Sequence, residues 1–374
     1  MPAKDLKLTV YSLASLLALL LGLEAVLRLA GFQARLPPFR LPSPPCMVLG
    51  SCGEGNRGLF EKKGSLLALR PEYYGWFQEQ EFPARKPADE FRVFILGGST
   101  IYNLFGQMTN SFDASGRKVR VVNLGGNSFG TARLLPVLSE ILGYEPDLVL
   151  VYSGHSEFVD ITIVNQFLET SPFRKKLGEL LRRSRVCGLI ELGVYKTGMG
   201  LMRVRKRHDN GVVRYFGTRL RPGTEKEKVY GLYRKYLAEM AKQARARGVP
   251  LVLSTVGYNR VIAPLVPEEA RALHRTGLDL LRGGKYKEAL TALNKAQDAE
   301  KIPFGANETT NAIVREIAAG YKVPLLDADG AIAARAPNGI PGAETFFDQC
   351  HFNDSAFLGE LFRKEINSAI AGSK

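Results

Sequence analysis

Cysteine and histidine are scarce in this chain of 374 residues, with four of each, and tryptophan occurs once. Four cysteines in a chain this long exclude a disulfide scaffold, and no Cys/His spacing suits a zinc site. Cys46 and Cys52, six apart in a Pro/Gly-rich stretch, form either a small disulfide loop in an oxidising compartment or two free thiols. Acidic residues are also outnumbered, 37 against 51 Lys and Arg, which leaves a net charge of +14. That excess favours an anionic neighbour: membrane phospholipid, an acidic envelope polymer or nucleic acid. No DNA- or RNA-binding signature accompanies the charge, so no nucleic-acid partner is expected. With 45% hydrophobic residues the chain is long enough for one large or two ordinary domains with a real core.

One long uncharged run is present. Leu8 to Leu23 carries no charge for sixteen residues, and Glu24 and Arg28 follow four apart on one helical face. Arg28 can snorkel toward the interface, which extends the usable span to about Ala30. No clean small-x-small cleavage site follows, so residues 1–32 are expected to be an uncleaved signal anchor, a single transmembrane helix, rather than a removed signal peptide. Lys4 and Lys7 precede the span while Arg28, Arg35 and Arg40 follow it, so the charges do not decide its orientation. Residues 33–89 read as a Pro/Gly-rich linker and a lead-in. The lead-in holds Tyr73-Tyr74-Gly75-Trp76-Phe77, an aromatic cluster expected to pack on the domain that follows.

From residue 90 the chain alternates. Apolar strand patterns at 91–96, 119–124, 147–153, 249–256 and 322–327 are interleaved with helical patterns at 131–142, 225–247, 306–320 and 354–371. Such alternation predicts an α/β fold, a doubly wound parallel sheet with helices on both faces. In a sheet of this kind the ligand site lies at the carboxyl edge, and several motifs follow strands there. Gly97-Gly98-Ser99-Thr100 ends the first strand. Asn123-Leu124-Gly125-Gly126-Asn127-Ser128 ends the second, and Tyr152-Ser153-Gly154-His155-Ser156-Glu157-Phe158 the third. Tyr258-Asn259-Arg260 follows the fourth. Asp348-Gln349-Cys350-His351 precedes the last helix.

Ser99 at a glycine turn is a nucleophile candidate. A histidine three residues after an aspartate can serve as its base, with the aspartate orienting the imidazole. With four histidines in all, one so placed carries weight. Taken singly, these features also fit a strand-to-helix turn with Ser99 as N-cap and a chance surface pair at Asp348 and His351.

The four blocks in this order resemble the SGNH (GDSL-like) hydrolases over roughly residues 90 to 370. The resemblance implies a flavodoxin-like strand order and a catalytic domain outside the cytoplasm. It implies an acyl-ester chemistry with Ser99 as nucleophile, His351 as base and Asp348 as its orienting acid. It also implies an oxyanion hole drawn from the Ser99 N–H, a second-block amide at Gly126 or Ser128, and a third-block side chain. The family has Asn in that third position. This chain has Ser156, so the third donor falls to Ser156 or His155. Glu157 and Asn259 are further pocket candidates, Glu157 reading also as a hydrogen-bonding core residue. No metal or organic cofactor is implied.

Two insertions interrupt the pattern within 90–374. Residues 174–221 are basic: Arg174 to Arg207 holds eleven Lys or Arg and two Glu, with Leu177, Leu180, Leu181 and other apolar residues between them. It reads either as a solvated face or as an amphipathic element facing anionic lipid or an envelope polymer. Residues 267–300 resemble one tetratricopeptide-type helix pair, too little for a solenoid and expected as a helical hairpin. His274 and His208 read as structural. The expected function is a membrane-anchored serine esterase or O-acyltransferase of the cell envelope, acting on a small-molecule or carbohydrate ester. The alternative is a non-catalytic binding or assembly protein with a degraded oxyanion hole. A phosphate cradle at Gly97-Gly98-Ser99 ranks last, since no Lys follows and the fuller glycine pattern is missing there.

Overall fold

The structure is a computed structural model, and it describes residues 3–32, 58–108, 112–114, 116–169, 184–190, 192–193, 197, 225–264, 267–301, 303 and 305–372. The linker at 33–57 with Cys46 and Cys52, most of the basic insertion and His208 lie outside the described residues. The chain divides into two units, Met1–Arg40 with Leu168–Thr218, and Leu41–Phe167 with Arg219–Lys374.

In the first unit the apolar run forms helix α1 (Ala3–Leu29). Its 27 residues rise about 40 Å, against a hydrocarbon core of about 30 Å. Tyr11–Leu29 is long and apolar enough to cross a membrane, a test that a signal sequence also passes. Glu24 is the acidic residue inside that stretch, and it is fully engaged. Arg28 Nε donates to it at 2.8 Å. The Ser184 hydroxyl (2.8 Å) and the Arg185 and Val186 amides (both 3.0 Å) also donate to it. A carboxylate there satisfies the free amides that open the helical turns at 185–190.

The second unit holds two sheets. Strands β1 (Phe60–Lys63), β2 (Leu66–Leu69) and β3 (Glu81–Pro83) form a small antiparallel sheet within the stretch that reads as a lead-in from sequence. The larger sheet comprises β4 (Glu90–Gly97), β5 (Phe112–Ala114), β6 (Arg117–Gly125), β7 (Leu148–Tyr152), β8 (Leu251–Ser254) and β9 (Leu325–Leu326). Its order is β5-β6-β4-β7-β8-β9. The five strands β6, β4, β7, β8 and β9 are parallel, and their order of appearance is second, first, third, fourth, fifth, as in flavodoxin-like sheets. The short β5 pairs antiparallel with β6 and adds an edge that the strand patterns did not predict.

The helices are α2 (Ser99–Asn103), α3 (Phe105–Met108), α4 (Thr131–Ile141), α5 (Glu157–Glu169), α6 (Lys226–Ala246), α7 (Glu268–Arg282), α8 (Tyr286–Ala299), α9 (Glu308–Tyr321), α10 (Ala328–Arg335) and α11 (Ala356–Gly372). Alternate strand residues separate two cores, as a period of two requires. Phe94, Leu96, Val149 and Val151 join Leu134, Leu138, Tyr233, Leu237, Ile313 and Ile317 from α4, α6 and α9. Val93, Ile95, Leu148 and Leu150 join Ile101, Ile332, Leu358, Phe362 and Ile366 from α2, α10 and α11. Helices therefore cover both faces, and β4, central and buried along its whole length, delivers Ser99 to the middle of the carboxyl edge.

The aromatic cluster before β4 is core: Tyr73, Trp76 and Phe77 are buried with Phe129 and the α4 residues. Helices α7 and α8 pack as a hairpin, with the side chain of Leu293 against Gly277. The loop after β8 is tied to them. Tyr258 donates to Asn294 Oδ1 at 3.1 Å, Gln297 Nε2 donates to the Ile262 carbonyl at 2.6 Å, and His274 Nε2 lies 2.7 Å from the Val261 carbonyl.

Candidate active site

The turn after β4 is crowded enough to require glycine. A Cβ on Gly97 would lie 2.5 Å from the Tyr152 carbonyl and would clash with Ile101. Gly98 is the N-cap of α2, so Ser99 opens that helix with its amide unclaimed by the helical ladder. Its hydroxyl meets the far end of the chain. Ser99 Oγ is 2.7 Å from His351 Nε2, and His351 Nδ1 is 2.6 Å from Asp348 Oδ2.

The Asp348 loop is built to hold that line. Phe346 and Phe352 pair across it, their ring centroids 4.6 Å apart, and the Phe347 amide donates to the His351 carbonyl at 3.0 Å. Asp348 Oδ1 accepts the amides of Cys350 (2.8 Å) and His351 (2.7 Å), a local turn that leaves Oδ2 free for the imidazole. Burial would raise the Asp348 carboxyl, but the His351 ring and these amides outweigh it and hold the pKa below the ordinary value. The carboxylate thus stays charged where an imidazolium would form, and its bond to Nδ1 places the neutral tautomer's proton there.

Asn259 is 7% exposed and bonded to the Asp348 loop. Its side-chain amide donates to the Asp348 carbonyl at 3.1 Å and its backbone amide to the Gln349 carbonyl at 3.0 Å, so it clamps this loop to the end of β8. Among the described residues, the metal-ligand grouping is Asp348, Cys350 and His351, whose ligand atoms lie within 4.8 Å of one another. Two of those atoms already bond each other. Burial, with the Asp348 charge beside it, pushes the Cys350 thiol up and keeps it protonated.

The opposite side of Ser99 is formed by the second and third blocks. Gly126 is excluded as a donor, because its N–H bonds the Gly97 carbonyl at 2.9 Å. Asn123 is structural: it bridges α2 and β6 through the Ile101 carbonyl (2.9 Å) and the Gly125 amide (2.8 Å). Ser128 remains. It sits at φ 59°, the left-handed region that favours glycine. The Arg133 guanidinium donates to its carbonyl. Arg133 is itself fully buried, paired with buried Asp160 and covered by the Trp76 and Phe129 rings at 5.4 and 4.0 Å. The adjacent Asn127 is pinned to the Trp76 and Gly75 carbonyls, both at 3.1 Å. A buried ion pair and an aromatic wall therefore fix the peptide at Ser128.

Ser156 lies beside the Gly98-Ser99 turn: a Cβ on Gly98 would meet its hydroxyl at 3.2 Å. The His155 ring contacts the segment before α9. Its Nδ1 accepts the Ala306 amide at 3.2 Å, and Nε2 is buried without a hydrogen-bond partner among the described residues. Burial, and then the nearby His351, push its pKa down to about 3, against the weaker pull of Asp348 and the Gly257 backbone. It stays neutral and braces the loop before α9.

Glu157 is a core hydrogen-bonding residue rather than a pocket residue. It accepts from the Thr131 amide (3.1 Å) and hydroxyl (2.7 Å) and the Ser153 hydroxyl (2.8 Å), capping the start of α4. Burial first, and then the Asp160 charge, push its pKa up to about 7 against those bonds. Sequence reasoning missed Arg133 and Asp160. Their signal was an arginine just beyond the second block and an aspartate just beyond the third, each among apolar residues.

No protein-family model and no curated protein matches the chain. Solved structures similar to it include a GDSL-like lipase from Bacteroides thetaiotaomicron VPI-5482, 12% identical, covering 77% of this chain and 93% of that one at a TM-score of 0.37. Another is Axe2, an acetylxylan esterase from Geobacillus stearothermophilus, 12% identical, covering 74% and 93% at a TM-score of 0.35. At that level of likeness the chemistry of this chain rests on its own side chains.

Proposed function

We propose that the chain is a serine hydrolase of the SGNH type acting on carboxylic esters. The observation that carries this reading is the unbroken line of contacts from Ser99 Oγ through His351 to Asp348, at 2.7 and 2.6 Å. Ser99 Oγ attacks the ester carbonyl while His351 Nε2 takes its proton. The Asp348 carboxylate stabilises the resulting imidazolium. The oxyanion is met by the Ser99 and Ser128 amides and the Ser156 hydroxyl. Collapse breaks the ester C–O bond, His351 returns the proton to the departing alcohol, and Ser99 holds the acyl group. Water, or a second alcohol in a transferase, then repeats the sequence in reverse.

We also propose that the chain works at the cell envelope, held by α1 with the site outside the cytoplasm, on an O-acylated carbohydrate. The apolar α1, the net charge of +14 and the resemblance of the blocks support this. Proteolysis of intact spheroplasts that leaves the catalytic unit untouched would refute the topology, and a mature N-terminus beyond Ala30 would refute retention of the anchor.

The activity is tested with short-chain p-nitrophenyl esters. The wild-type chain is expected to turn them over, with Ser99→Ala and His351→Ala folded and inactive. Full activity in either variant sinks the assignment, and an inactive wild type favours a binding protein on this fold.

A further inference from the structure

We propose that Phe347 is the platform on which the alcohol portion of the substrate rests, and that this portion is a pyranose ring. The inference deepens the serine-hydrolase reading and rests on it.

The loop that carries Asp348 and His351 sends its two phenylalanines in opposite directions. Phe346 is 1% exposed and packs in the core, while Phe347 is 66% exposed. Its backbone is pinned to the His351 carbonyl, so the exposure is set by the same turn that aims the base. The Phe347 ring lies nearly parallel to the His351 imidazole, at 13° with centroids 5.6 Å apart. A lone exposed apolar side chain would need no explanation. One stacked beside the catalytic base does, because of what that base must reach. His351 Nε2 returns its proton to the ester's alcohol oxygen, so the carbon skeleton of the alcohol passes the imidazole on its way to solvent. Phe347 is the exposed ring beside that path.

The surroundings select the chemistry of the group. Within the catalytic unit the exposed large apolar residues, among those described, are Tyr286, Leu325 and Phe347. Among the described residues of its own loop, no other large apolar side chain is exposed to extend that face toward a hydrocarbon tail. Its chain neighbours are Glu344, Thr345, Gln349 and Asn353, polar and partly or fully exposed. A flat aromatic face on a loop that also carries exposed hydrogen-bonding residues fits a partner with an apolar C–H face and a polar rim, which a pyranose presents.

The test compares kcat/KM on an acylated methyl glucopyranoside, as acetate and butyrate, with kcat/KM on the matching ethyl ester, using the full chain in detergent. Phe347→Ala is expected to lower the pyranoside-to-ethyl ratio tenfold or more. Phe347→Trp should keep the ratio, and Phe347→Leu, apolar but not flat, should fall with Ala. Labelling of Ser99 by a fluorophosphonate is followed in every variant. An unlabelled wild-type Ser99 would overturn the hydrolase reading and this inference with it. With Ser99 labelled, an unchanged ratio in Phe347→Ala overturns this inference alone, since the ring would then only support His351. A ratio retained by Phe347→Leu, or no turnover of either pyranoside, overturns it as well.

Discussion

The two sides of Ser99 are held by different physics. On the proton side, Asp348 and His351 are three residues apart, and one tight turn with two backbone amides sets their geometry. On the anion side, the Ser128 peptide depends on Arg133, five residues away, and on Asp160, 27 residues beyond Arg133. The proton side is partly open to solvent, and its turn is clamped to the end of β8 by Asn259 through neutral hydrogen bonds. The anion side is non-local, and its charged groups have no water to fall back on. Loss of one partner there leaves an uncompensated buried charge. The proton side should therefore fail in chemistry alone, and the anion side in chemistry and stability together.

The largest expected effect is on the proton side. Asp348→Asn keeps the shape but removes the charge and unsettles the imidazole tautomer, so kcat should fall by about 10⁴-fold with the melting temperature nearly unchanged. A melting temperature that drops with activity would break the comparison. Next comes Arg133→Met. Freeing the Ser128 peptide should cost about 10²–10³ in kcat, the usual effect of losing one oxyanion donor. Stranding Asp160 should cost about 3–5 kcal/mol of stability. Arg133→Lys keeps the charge and should recover more stability than turnover, because one ammonium cannot serve both Asp160 and the Ser128 carbonyl with the geometry of a guanidinium. Equal recovery of both would mean that the arginine supports only the fold.

A smaller gain is expected at Ser156. An amide in place of its short, rotating hydroxyl should raise kcat roughly tenfold, about 1.4 kcal/mol of barrier, with little change in KM. Slower hydrolysis in Ser156→Asn, with a still greater loss in His155→Ala, would contradict the placement of the third donor at Ser156. A further effect is one of pH. Glu157 has a pKa raised from 4.5 to about 7. Between those values the folded chain binds a proton that the unfolded chain has lost. Its contribution to stability is thus fully present below pH 4.5 and is lost as pH rises through 7. The melting temperature of wild type should fall more between about pH 5 and 8 than that of Glu157→Gln. Parallel curves would show that Glu157 titrates normally.

The contrast between the two sides also explains what is legible in the sequence. The five parallel strands, four of the helices and the Ser99–Asp348–His351 set all show as local patterns: apolar runs, a glycine turn, an Asp-x-x-His spacing. Gly126 and Ser128 stay undecided in the sequence, because which amide is free depends on the Gly97 carbonyl on a neighbouring strand. Asn259 reads as a pocket residue because its position after β8 is visible while its grip on the Asp348 loop is not. Arg133 is the single basic residue within the helical pattern at 131–142, and Asp160 lies on α5, where the sequence pattern predicts no helix. The small sheet β1–β3 escapes a sequence reading because its strands of three or four residues are too short to establish an alternation.

The central claim is that Ser99 is a nucleophile activated by the histidine 252 residues further along the chain. It is tested most directly by treating the full-length protein with a fluorophosphonate and mapping the adduct by peptide mass spectrometry. The account predicts a single adduct on Ser99, lost in Ser99→Ala and strongly slowed in His351→Ala. A folded wild-type protein that carries no adduct on Ser99, or labelling that persists undiminished in His351→Ala, would contradict it.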